Sequence, residues 1–317
     1  MAEVARSHYV NGRTRVEIAQ EFGLSRFKVS RILEAAHRTG VVRIEINVPE
    51  AVDTDLSLRL RDAFGLERAI VVTPPDSRSD SVRDALGKAA ARLLMDTVSV
   101  DDVLGVTSGR TIDAMTRHLT ALPACKVVQL TGMSGDLNEN SVEVVRRVNG
   151  VAGGLAYTIY APLVVGTAEA ATALKTHPSI ASAFERFSSV TMAYVAVGSW
   201  SPSDSRFYDA LPEIDKKRML ELDVSADFGG SLVDTSGHQV DALDDRVIGI
   251  NLSQLRAVPS VVLVGGGARK TEAIRSVLLS GCATSVVTDT SVAQALLRSQ
   301  PAAPAPDLGS RRTDPAS

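Results

Sequence analysis

Apolar residues between positions 51 and 300 occur in short runs that alternate with segments of helical periodicity. The runs are β-branched and almost wholly apolar, and they lie at Ala69–Val72, Val103–Val106, Val127–Leu130, Tyr194–Val197, Val261–Val264 and Ser285–Val287. The helical segments between them are Ser81–Met95, Thr111–Leu119, Ser141–Val148, Ala168–Leu174, Thr271–Leu279 and Ser291–Leu297. Strands that are apolar on both faces are typical of a parallel sheet covered by helices on both sides. The alternation therefore predicts an α/β fold with a doubly wound, mostly parallel sheet.

The first 50 residues show a different pattern, in which short helical segments are separated by polar turns. Gly23 lies between Arg15–Phe22 and Arg26–Arg38, where it is suited to end the first helix, and Ser25 is suited to cap the second. The predicted core of these two helices and of an earlier one consists of Tyr9, Val10, Val16, Ile18, Ala19, Phe22, Val29, Ile32, Leu33 and Ala36. Two short helices joined by a tight glycine turn are typical of a helix-turn-helix domain.

Basic and polar side chains crowd the first two turns of the predicted helix Arg26–Arg38. In a helix-turn-helix this end of the second helix enters the major groove, where arginine can bind guanine and lysine or serine can bind phosphates. The residues predicted to contact DNA are Ser25, Arg26, Phe27, Lys28, Ser30 and Arg31. The alternative is a helical hairpin whose charged face is only solvated. Beyond Gly40, the alternating segment Val41–Val48 predicts a wing or a connecting strand.

Charge is distributed unevenly between these two parts of the chain. Residues 1–50 contain eight Lys or Arg and six Glu, whereas the remainder contains 26 basic and 31 acidic residues. A mildly basic N-terminal segment fits a small DNA-binding domain joined to a larger acidic one. The length of 317 residues also exceeds what a single core usually supports, so two domains are expected. Residues 301–317 are rich in Pro and Ala and predict a disordered tail.

Signals for a membrane or a metal are lacking in the sequence. There is no apolar signal segment at the N-terminus and no apolar run of about 18 residues, which predicts a cytoplasmic protein that does not contact a membrane. The two cysteines, Cys125 and Cys282, lie far apart beside apolar runs and are expected to be buried thiols rather than a zinc site or a disulfide. We therefore expect neither a metal nor a cofactor.

Two glycine-containing turns that follow predicted strands offer chemistry for a ligand. The first comprises Thr107, Ser108, Gly109, Arg110 and Thr111, whose hydroxyls and free N–H groups can surround a phosphate. Its alternative is an ordinary turn with Thr111 as a helix cap. The second turn includes Gly266, Gly267 and Lys270, and its lysine can face an anion or a carbonyl. Its alternative is a flexible turn with a surface lysine, and it is not a P-loop because Arg269 replaces the required glycine.

Three further turns adjoin predicted strands and extend the set of candidate residues. The candidates are Gly132, Met133, Gly198, Ser199 and Asp227. Asp227 can accept hydrogen bonds from sugar hydroxyls, although an aspartate close to a Gly-Gly pair is more often a turn former. Trp200 can either wall the pocket or pack in the core.

The segment Glu17–Ile46 resembles the N-terminal region of the SorC family, bacterial regulators that respond to sugars. The residues that carry the resemblance are Glu17-Ile18-Ala19, Gly23, Ser25-Arg26, Val29-Ser30-Arg31, Ala36 and Gly40-Val41-Val42. Further matches are the turns Thr107–Thr111 and Gly266–Lys270 and the segment from Asp227 to Gly230, with Asp234 and Gly237. The resemblance spans residues 10–298 and implies a sugar-binding domain related to ribose-5-phosphate isomerase and glucosamine-6-phosphate deaminase. It associates the first turn with the phosphate of the effector.

These observations predict a transcriptional regulator whose affinity for a double-stranded DNA operator is modulated by a sugar or a sugar phosphate. Residues 1–50 would form the helix-turn-helix domain, residues 51–300 the effector-binding and oligomerisation domain, and residues 301–317 the tail. A lone helix-turn-helix contacts one half-site, so a homodimer or homotetramer is expected. A phosphorylated and an unphosphorylated sugar are both compatible with the two turns.

The alternative function is that of a sugar-phosphate isomerase or deaminase with an accessory N-terminal domain. Such an enzyme needs a general base beside the sugar. The histidines lie in predicted helices or polar loops without evident partners, at positions His8, His37, His118, His177 and His238. Asp136 and Glu139 are the best carboxylate candidates, but solvated loop charges are the simpler interpretation. We therefore expect no catalytic residues, while a purely structural role would leave the glycine-rich turns unexplained.

Overall fold

The computed structural model describes residues 1–42, 52–134 and 141–299. The chain divides into two compact units, Met1–Pro49 and Glu50–Ser317. The segment Arg43–Val48 of the predicted wing, the carboxylate candidates Asp136 and Glu139, and the predicted tail at 301–317 lie outside the described residues.

The first unit consists of helices α1 (Ala2–Tyr9), α2 (Arg15–Glu21) and α3 (Arg26–Arg38). Thr14 and Glu17 form a reciprocal cap at the start of α2, since each side chain accepts a hydrogen bond from the other residue's backbone N–H, at 3.3 and 2.8 Å. Ser25 caps α3 by accepting from the Lys28 amide at 3.2 Å, as the sequence predicts. Gly23 has a φ of +63°, which turns the chain between the two helices. The helix-turn-helix prediction is confirmed in its elements.

The core of this unit differs in part from the predicted one. Its buried apolar residues are Val4, Ala5, Ile18, Val29, Leu33 and Ala36. Val16 is 50% exposed because it lies two positions, and so more than half a helical turn, from the buried Ile18. Val10, at 74% exposure, follows the end of α1, and the nearby Tyr9 hydroxyl is 2.8 Å from His37 Nε2 on α3. Tyr9, Val10 and Val16 were therefore wrongly predicted as core residues.

The second unit is built on one large sheet. Its strands are β1 (Arg68–Val72), β2 (Val103–Val106), β3 (Lys126–Gln129), β4 (Ala156–Tyr157), β5 (Met192–Trp200), β6 (Ser203–Asp204), β7 (Val224–Phe228), β8 (Ser231–Asp234), β9 (Gln239–Val240), β10 (Ser260–Val264) and β11 (Ser285–Asp289). Seven of them run parallel in the order β1-β11-β10-β5-β2-β3-β4. All six predicted strands are present in this parallel part.

Helices cover both faces of the parallel sheet. The helices of this unit are α4 (Thr54–Phe64), α5 (Ser79–Thr97), α6 (Arg110–Arg117), α7 (Ser141–Ala152), α8 (Ala168–Lys175), α9 (Pro178–Arg186), α10 (Arg206–Ala210), α11 (Glu213–Glu221), α12 (Leu252–Arg256), α13 (Thr271–Leu279) and α14 (Thr290–Ser299). Along β10, Val261 and Leu263 belong to an apolar cluster that includes residues of α4, α9, α13 and α14, whereas Val262 and Val264 belong to a second cluster that includes residues of α5, α6 and α7. This confirms the doubly wound, mostly parallel α/β fold.

Strand β5 continues beyond the parallel sheet into an antiparallel extension. There Val197–Ser199 pairs with Ala226–Phe228 of β7, and β8 and β9 follow in antiparallel order. A separate apolar cluster that includes Trp200, Phe207 and Met219 packs against this extension. The extension begins at the carboxyl end of the parallel part of β5, which is the edge of such sheets where ligands bind.

Candidate functional site

A cavity of about 390 Å³ lies at the carboxyl ends of the parallel strands. Four segments contribute most of its wall: the turn after β2, the connection from β5 through β6 to α10, the Gly-Gly turn after β7, and the turn after β10. The wall is formed by Ser77, Ser79, Val82, Arg83, Thr107–Thr111, Thr131, Ser134, Leu163, Ala196–Gly198, Ser203–Phe207, Asp227, Gly229, Gly230 and Gly266–Lys270. The location and the mixture of polar and glycine residues are typical of a small-molecule site.

The turn after β2 is held against its neighbours by short side chains. The Thr107 hydroxyl accepts a hydrogen bond from the Ala196 amide at 3.0 Å, and the Ser108 hydroxyl lies 3.5 Å from that of Ser134. Gly109 precedes α6, with a φ of +152°, and a Cβ there would collide with the Ala196 methyl group. Gly109, not Thr111, occupies the cap position of α6, and no side chain caps the helix. No side-chain cap therefore competes with an anion for the N–H groups at the start of α6.

Lys270 ends the short 3-10 helix Ala268–Lys270 that follows the turn after β10. Its side chain is only 15% exposed, its Nζ donates to the Val197 carbonyl at 2.8 Å, and Nζ lies 3.4 Å from Asp204 Oδ2. Burial lowers the pKa of Lys270, although the carboxylate of Asp204 acts in the opposite direction. Lys270 is therefore a largely buried cation of the cavity, and the alternative of a surface lysine is excluded.

Asp204 joins two of the cations that line the cavity, Arg110 and Lys270. Its Oδ1 accepts a hydrogen bond from Arg110 Nη2, and its Oδ2 faces Lys270. Burial by itself raises the pKa of Asp204, but the charges of Lys270 and Arg110 outweigh this effect and hold the pKa below its usual value. Sequence reasoning missed Asp204, because a single aspartate in a Ser-rich loop carries no signal of its distant partners.

Asp227 lies inside β7 and is not a turn former. Its carboxylate accepts hydrogen bonds from Trp200 Nε1 at 2.8 Å and from the Ser205 hydroxyl, and burial raises its pKa above the usual value. On the neighbouring β5, Gly198 leaves room for this carboxylate, since a Cβ there would collide with it. The Ser205 hydroxyl also caps α10 through the Tyr208 amide at 3.0 Å. Asp227 therefore anchors the segment that carries Asp204, and the Trp200 ring packs in the core.

Asp289, at the end of β11, supports the turn that leads to Lys270. Its Oδ2 accepts a hydrogen bond from the Gly267 amide at 2.5 Å, and its Oδ1 accepts from the Ser291 amide at 2.9 Å at the start of α14. Gly266 is packed against the same carboxylate, so a Cβ there would collide with it. Asp289 thereby links the turn after β10 to the next strand and helix.

Ten of the thirteen residues predicted to bind the effector line the cavity. The three that lie outside its wall are Gly132, Met133 and Ser199. Gly132 and Met133 donate backbone hydrogen bonds to the carbonyls of Ile248 and Ala161, at 2.8 and 2.7 Å. Ser199 is enclosed in the antiparallel pairing between β6 and β7. Their neighbours Thr131, Ser134 and Gly198 line the cavity instead.

The predicted DNA-binding residues lie mostly on the exposed side of α3. Arg26, Phe27, Lys28 and Arg31 are exposed, and Phe27 reaches 77% exposure, with the Arg26 guanidinium 5.9 Å from its ring centre. Ser30 is half-buried, with its hydroxyl 3.5 Å from Nη1 of Arg15 at the start of α2. Sequence reasoning missed Arg15, whose place beside α3 depends on how the two helices pack. Together these side chains form a compact basic surface around one aromatic ring.

Metal-binding groupings are not found in the described ranges of the chain. None of the five histidines lines the cavity there, and no three His, Cys, Asp or Glu side chains lie close enough to hold a metal ion. Cys125 and Cys282 are buried free thiols, as predicted. Within the same residues, no helix is long and apolar enough to cross a membrane.

Comparison with known proteins places this architecture among gene regulators. The family model described as "Putative sugar-binding domain" matches residues 49–298. The transcriptional regulator YjhU of Escherichia coli (strain K12) is 30% identical over 305 residues, which cover 92% of each chain. The transcriptional regulator LsrR of the same strain is 28% identical over 304 residues and 94% of each chain.

Solved structures show the same fold. The full-length sorbitol operon regulator SorC from Klebsiella pneumoniae superposes with a TM-score of 0.77 at 20% identity, over 93% of this chain and 97% of that one. A sugar-binding regulator domain from Arthrobacter aurescens TC1 gives 0.71 at 25% identity, over 79% of this chain and 99% of that one. With the family match and the 30% identical relative, these findings confirm the predicted resemblance. The chain therefore belongs to the family described as a putative sugar-binding domain, whose relatives named above are transcriptional regulators, and it is a regulator rather than an enzyme.

Proposed function

We propose that the protein binds operator DNA through residues 1–50 and that a sugar phosphate bound in the cavity modulates this affinity. The observation that carries the ligand assignment is the convergence of Arg110 and Lys270 beside the start of α6. The body formed by residues 51–300 would hold the effector and make the contacts between subunits.

The cavity contains positively charged groups that favour a phosphate over a neutral sugar. A phosphate carries nearly two negative charges at neutral pH, and its oxygens can accept several charge-assisted hydrogen bonds. The guanidinium of Arg110, the ammonium of Lys270 and the uncapped start of α6 all belong to the wall of the same cavity. The remaining wall, with the hydroxyls of Ser108 and Ser134, is suited to the hydroxyl groups of a sugar.

The DNA contact is assigned to the first two turns of α3 and the adjoining end of α2. Arg26 and Arg31 have the geometry to bind guanine in the major groove, Lys28 and Arg15 are suited to phosphates, and the Phe27 ring is suited to a thymine methyl group. Ser25 and Ser30 lie at the same surface. One such domain covers a single half-site, so we propose a homodimer or homotetramer.

Effector and DNA must be coupled through two arrangements of the oligomer. A ligand shifts such an equilibrium only when it binds the two arrangements with different affinity, typically by about 1–3 kcal/mol. Ligand bound at the strand ends would favour one arrangement and so change the spacing of the DNA-binding helices.

Calorimetry with matched pairs of sugars tests the ligand class. Pentoses and hexoses should be titrated beside their phosphates, and we expect each phosphate to bind at least about tenfold more tightly, which corresponds to about 1.4 kcal/mol. Gel-shift titration on genomic fragments, repeated with each compound, tests whether binding changes DNA affinity. Equal affinity for the free and phosphorylated sugars would contradict the phosphate assignment and leave the DNA-binding function intact.

A further inference from the structure

The carboxylate of Asp204 lies between the two cations that the proposed function assigns to a phosphate. It accepts a hydrogen bond from Arg110 and faces Lys270 at 3.4 Å, while its side chain remains 34% exposed toward the cavity. Both cations thus already have an anionic partner that belongs to the protein. A ligand anion that bound beside Asp204 would place two negative charges around the same two cations, which Coulomb repulsion disfavours.

We propose that Asp204 is an internal anion that an effector phosphate must replace at Arg110 and Lys270, which makes Asp204 a residue that determines ligand specificity. This inference rests on the proposed function, since it concerns the same cavity. A carboxylate carries one negative charge, whereas a phosphate carries nearly two and offers more acceptor oxygens. Only a ligand with such a group can compensate the two cations after Asp204 has left, so a neutral sugar cannot make the exchange.

The surroundings of Lys270 make an anionic partner necessary. The lysine is buried, and burial lowers its pKa, whereas Asp204 and, more weakly, Asp227 act in the opposite direction. The carboxylate of Asp227 already accepts hydrogen bonds from Trp200 and Ser205, so it is not free to become the partner of the Lys270 ammonium group. Asp204 has no comparable anchor of its own, because its described polar side-chain contacts are to the two cations. It is therefore the carboxylate that can be exchanged.

Displacement of Asp204 would affect the neighbouring helix α10. Asp204 belongs to the two-residue strand β6, which pairs only with Ser199 and Trp200 of β5 in the described residues, and α10 begins two residues later. The rings of Phe207 and Tyr208 on α10 lie 6.3 and 5.2 Å from the Trp200 ring, centre to centre. Trp200 is the single tryptophan of the chain, so its fluorescence reports on this segment.

Calorimetric titration of the full-length protein with inorganic phosphate tests the exchange. Removal of the competing charge in Asp204→Asn is expected to tighten phosphate binding about tenfold. The matched control Asp209→Asn removes the same charge from an exposed position of α10 outside the cavity wall, and we expect no change. If Asp204 instead helped to hold the ligand, Asp204→Asn would weaken binding. A weaker or an unchanged affinity in this variant overturns the inference.

Tryptophan fluorescence provides a second measurement. Phosphate should change the Trp200 emission of the unmodified protein, and the change should be absent in Asp204→Asn, where the link to the cations is already broken. Equal changes in both proteins would contradict the exchange. Thermal unfolding without phosphate verifies the fold of the variant, and Asp204→Ser offers a second uncharged side chain.

A third variant separates this inference from the proposed function. Arg110→Gln should weaken phosphate binding at least about tenfold, because it removes a charged donor from the cavity. If Arg110→Gln binds phosphate as well as the unmodified protein, the phosphate assignment itself is wrong, and the inference falls with it. If Arg110→Gln weakens binding while Asp204→Asn fails to tighten it, only the role of Asp204 is refuted.

Discussion

The cations of this protein occupy two kinds of environment, and the difference decides how each can act. Arg26, Lys28 and Arg31 are exposed on α3, so their attraction for DNA extends through solvent and weakens as salt is added. Arg110 and Lys270 line a cavity and are paired with one carboxylate, so they act over hydrogen-bond distances. Salt should therefore weaken DNA binding strongly and ligand binding much less.

Replacement of Arg31 by Ala is expected to weaken operator binding by roughly 1–3 kcal/mol, through loss of one groove contact. Gel-shift titration at fixed salt measures the change. Arg38→Ala provides the matched control, since Arg38 is exposed at the opposite end of the same helix. Similar losses of operator affinity in both variants would indicate a general charge effect. Arg31 would then not be a specific contact to the operator.

Lys270→Ala should narrow the difference in affinity between a sugar phosphate and the free sugar. The variant removes the buried ammonium group while leaving the hydroxyls of the cavity in place, so the phosphate loses more than the sugar. Lys217→Ala, which removes an exposed lysine of α11, should leave the difference unchanged. Calorimetry with the same matched pairs of sugars measures this difference in affinity. If the difference is unaltered in Lys270→Ala, Lys270 does not contact the phosphate.

The two cysteines should be unreactive in the folded protein. Burial raises the pKa of Cys282 to about 12 and also raises that of Cys125, so both remain protonated thiols near pH 8. We expect a thiol reagent to titrate neither cysteine before unfolding and both after addition of denaturant. Rapid reaction of one thiol under native conditions would reveal local opening at β3 or at the start of β11.

At the scale of elements, the turns that follow the strands form the site, and hydrogen bonds from neighbouring elements hold them in place. Asp289 illustrates this, because one carboxylate holds both the Gly267 amide and the first turn of α14. The turn after β10 and the start of the last helix therefore behave as one piece. Lys270 lies three residues beyond Gly267, so its position depends on a residue outside the cavity wall.

Asp289→Ala is expected to lower the free energy of unfolding by roughly 1–3 kcal/mol, since a helix cap and a buried hydrogen bond are lost together. It should also weaken phosphate binding, because the turn that positions Lys270 loosens. Ser25→Ala removes a comparable cap from α3 in the other unit and should leave phosphate binding unchanged. Denaturant titration and calorimetry measure the two effects, and undiminished phosphate affinity in a folded Asp289→Ala protein would contradict this role.

The elements also show why parts of the fold were predictable from sequence and others were not. The parallel strands were predicted because burial on both faces leaves an apolar run, as in Val261–Val264. Strands β6 and β9 have two residues each, too few for any periodicity to show. Val16 was misplaced because hydrophobicity alone does not say which face of a short helix is buried.

The candidate site divides in a similar way. Its glycine turns were predicted because each one directly follows an apolar run. Asp204 was missed because its meaning comes from Arg110, 94 positions earlier, and from Lys270 on another turn. Such a cluster forms only when the strand order brings three turns to one edge of the sheet.

At the scale of the whole molecule, the division into two compact units predicts that the larger one is independent. Residues 55–300 expressed alone should fold, bind phosphate and retain the oligomeric state of the full chain, because this range holds the described strands and, apart from the first residue of α4, their covering helices. Size-exclusion chromatography with light scattering, together with calorimetry, measures these properties. If this fragment is monomeric at micromolar concentration, the subunit contacts must instead be assigned to the N-terminal unit. Deletion of residues 301–317 should change neither DNA binding nor phosphate binding.

The position of β11 in the sheet has a consequence for the synthesis of the protein. β11 lies between β1 and β10, so the first strand of the sheet finds its neighbour only when residues 285–289 have been made. A chain still growing on the ribosome therefore exposes the apolar edges of β1 and β10 until residues 285–289 have been made. Messages truncated upstream of β11 should yield aggregated or degraded chains, whereas stops just beyond α14 should be tolerated. The parallel sheet is thus completed only after β11 has been made.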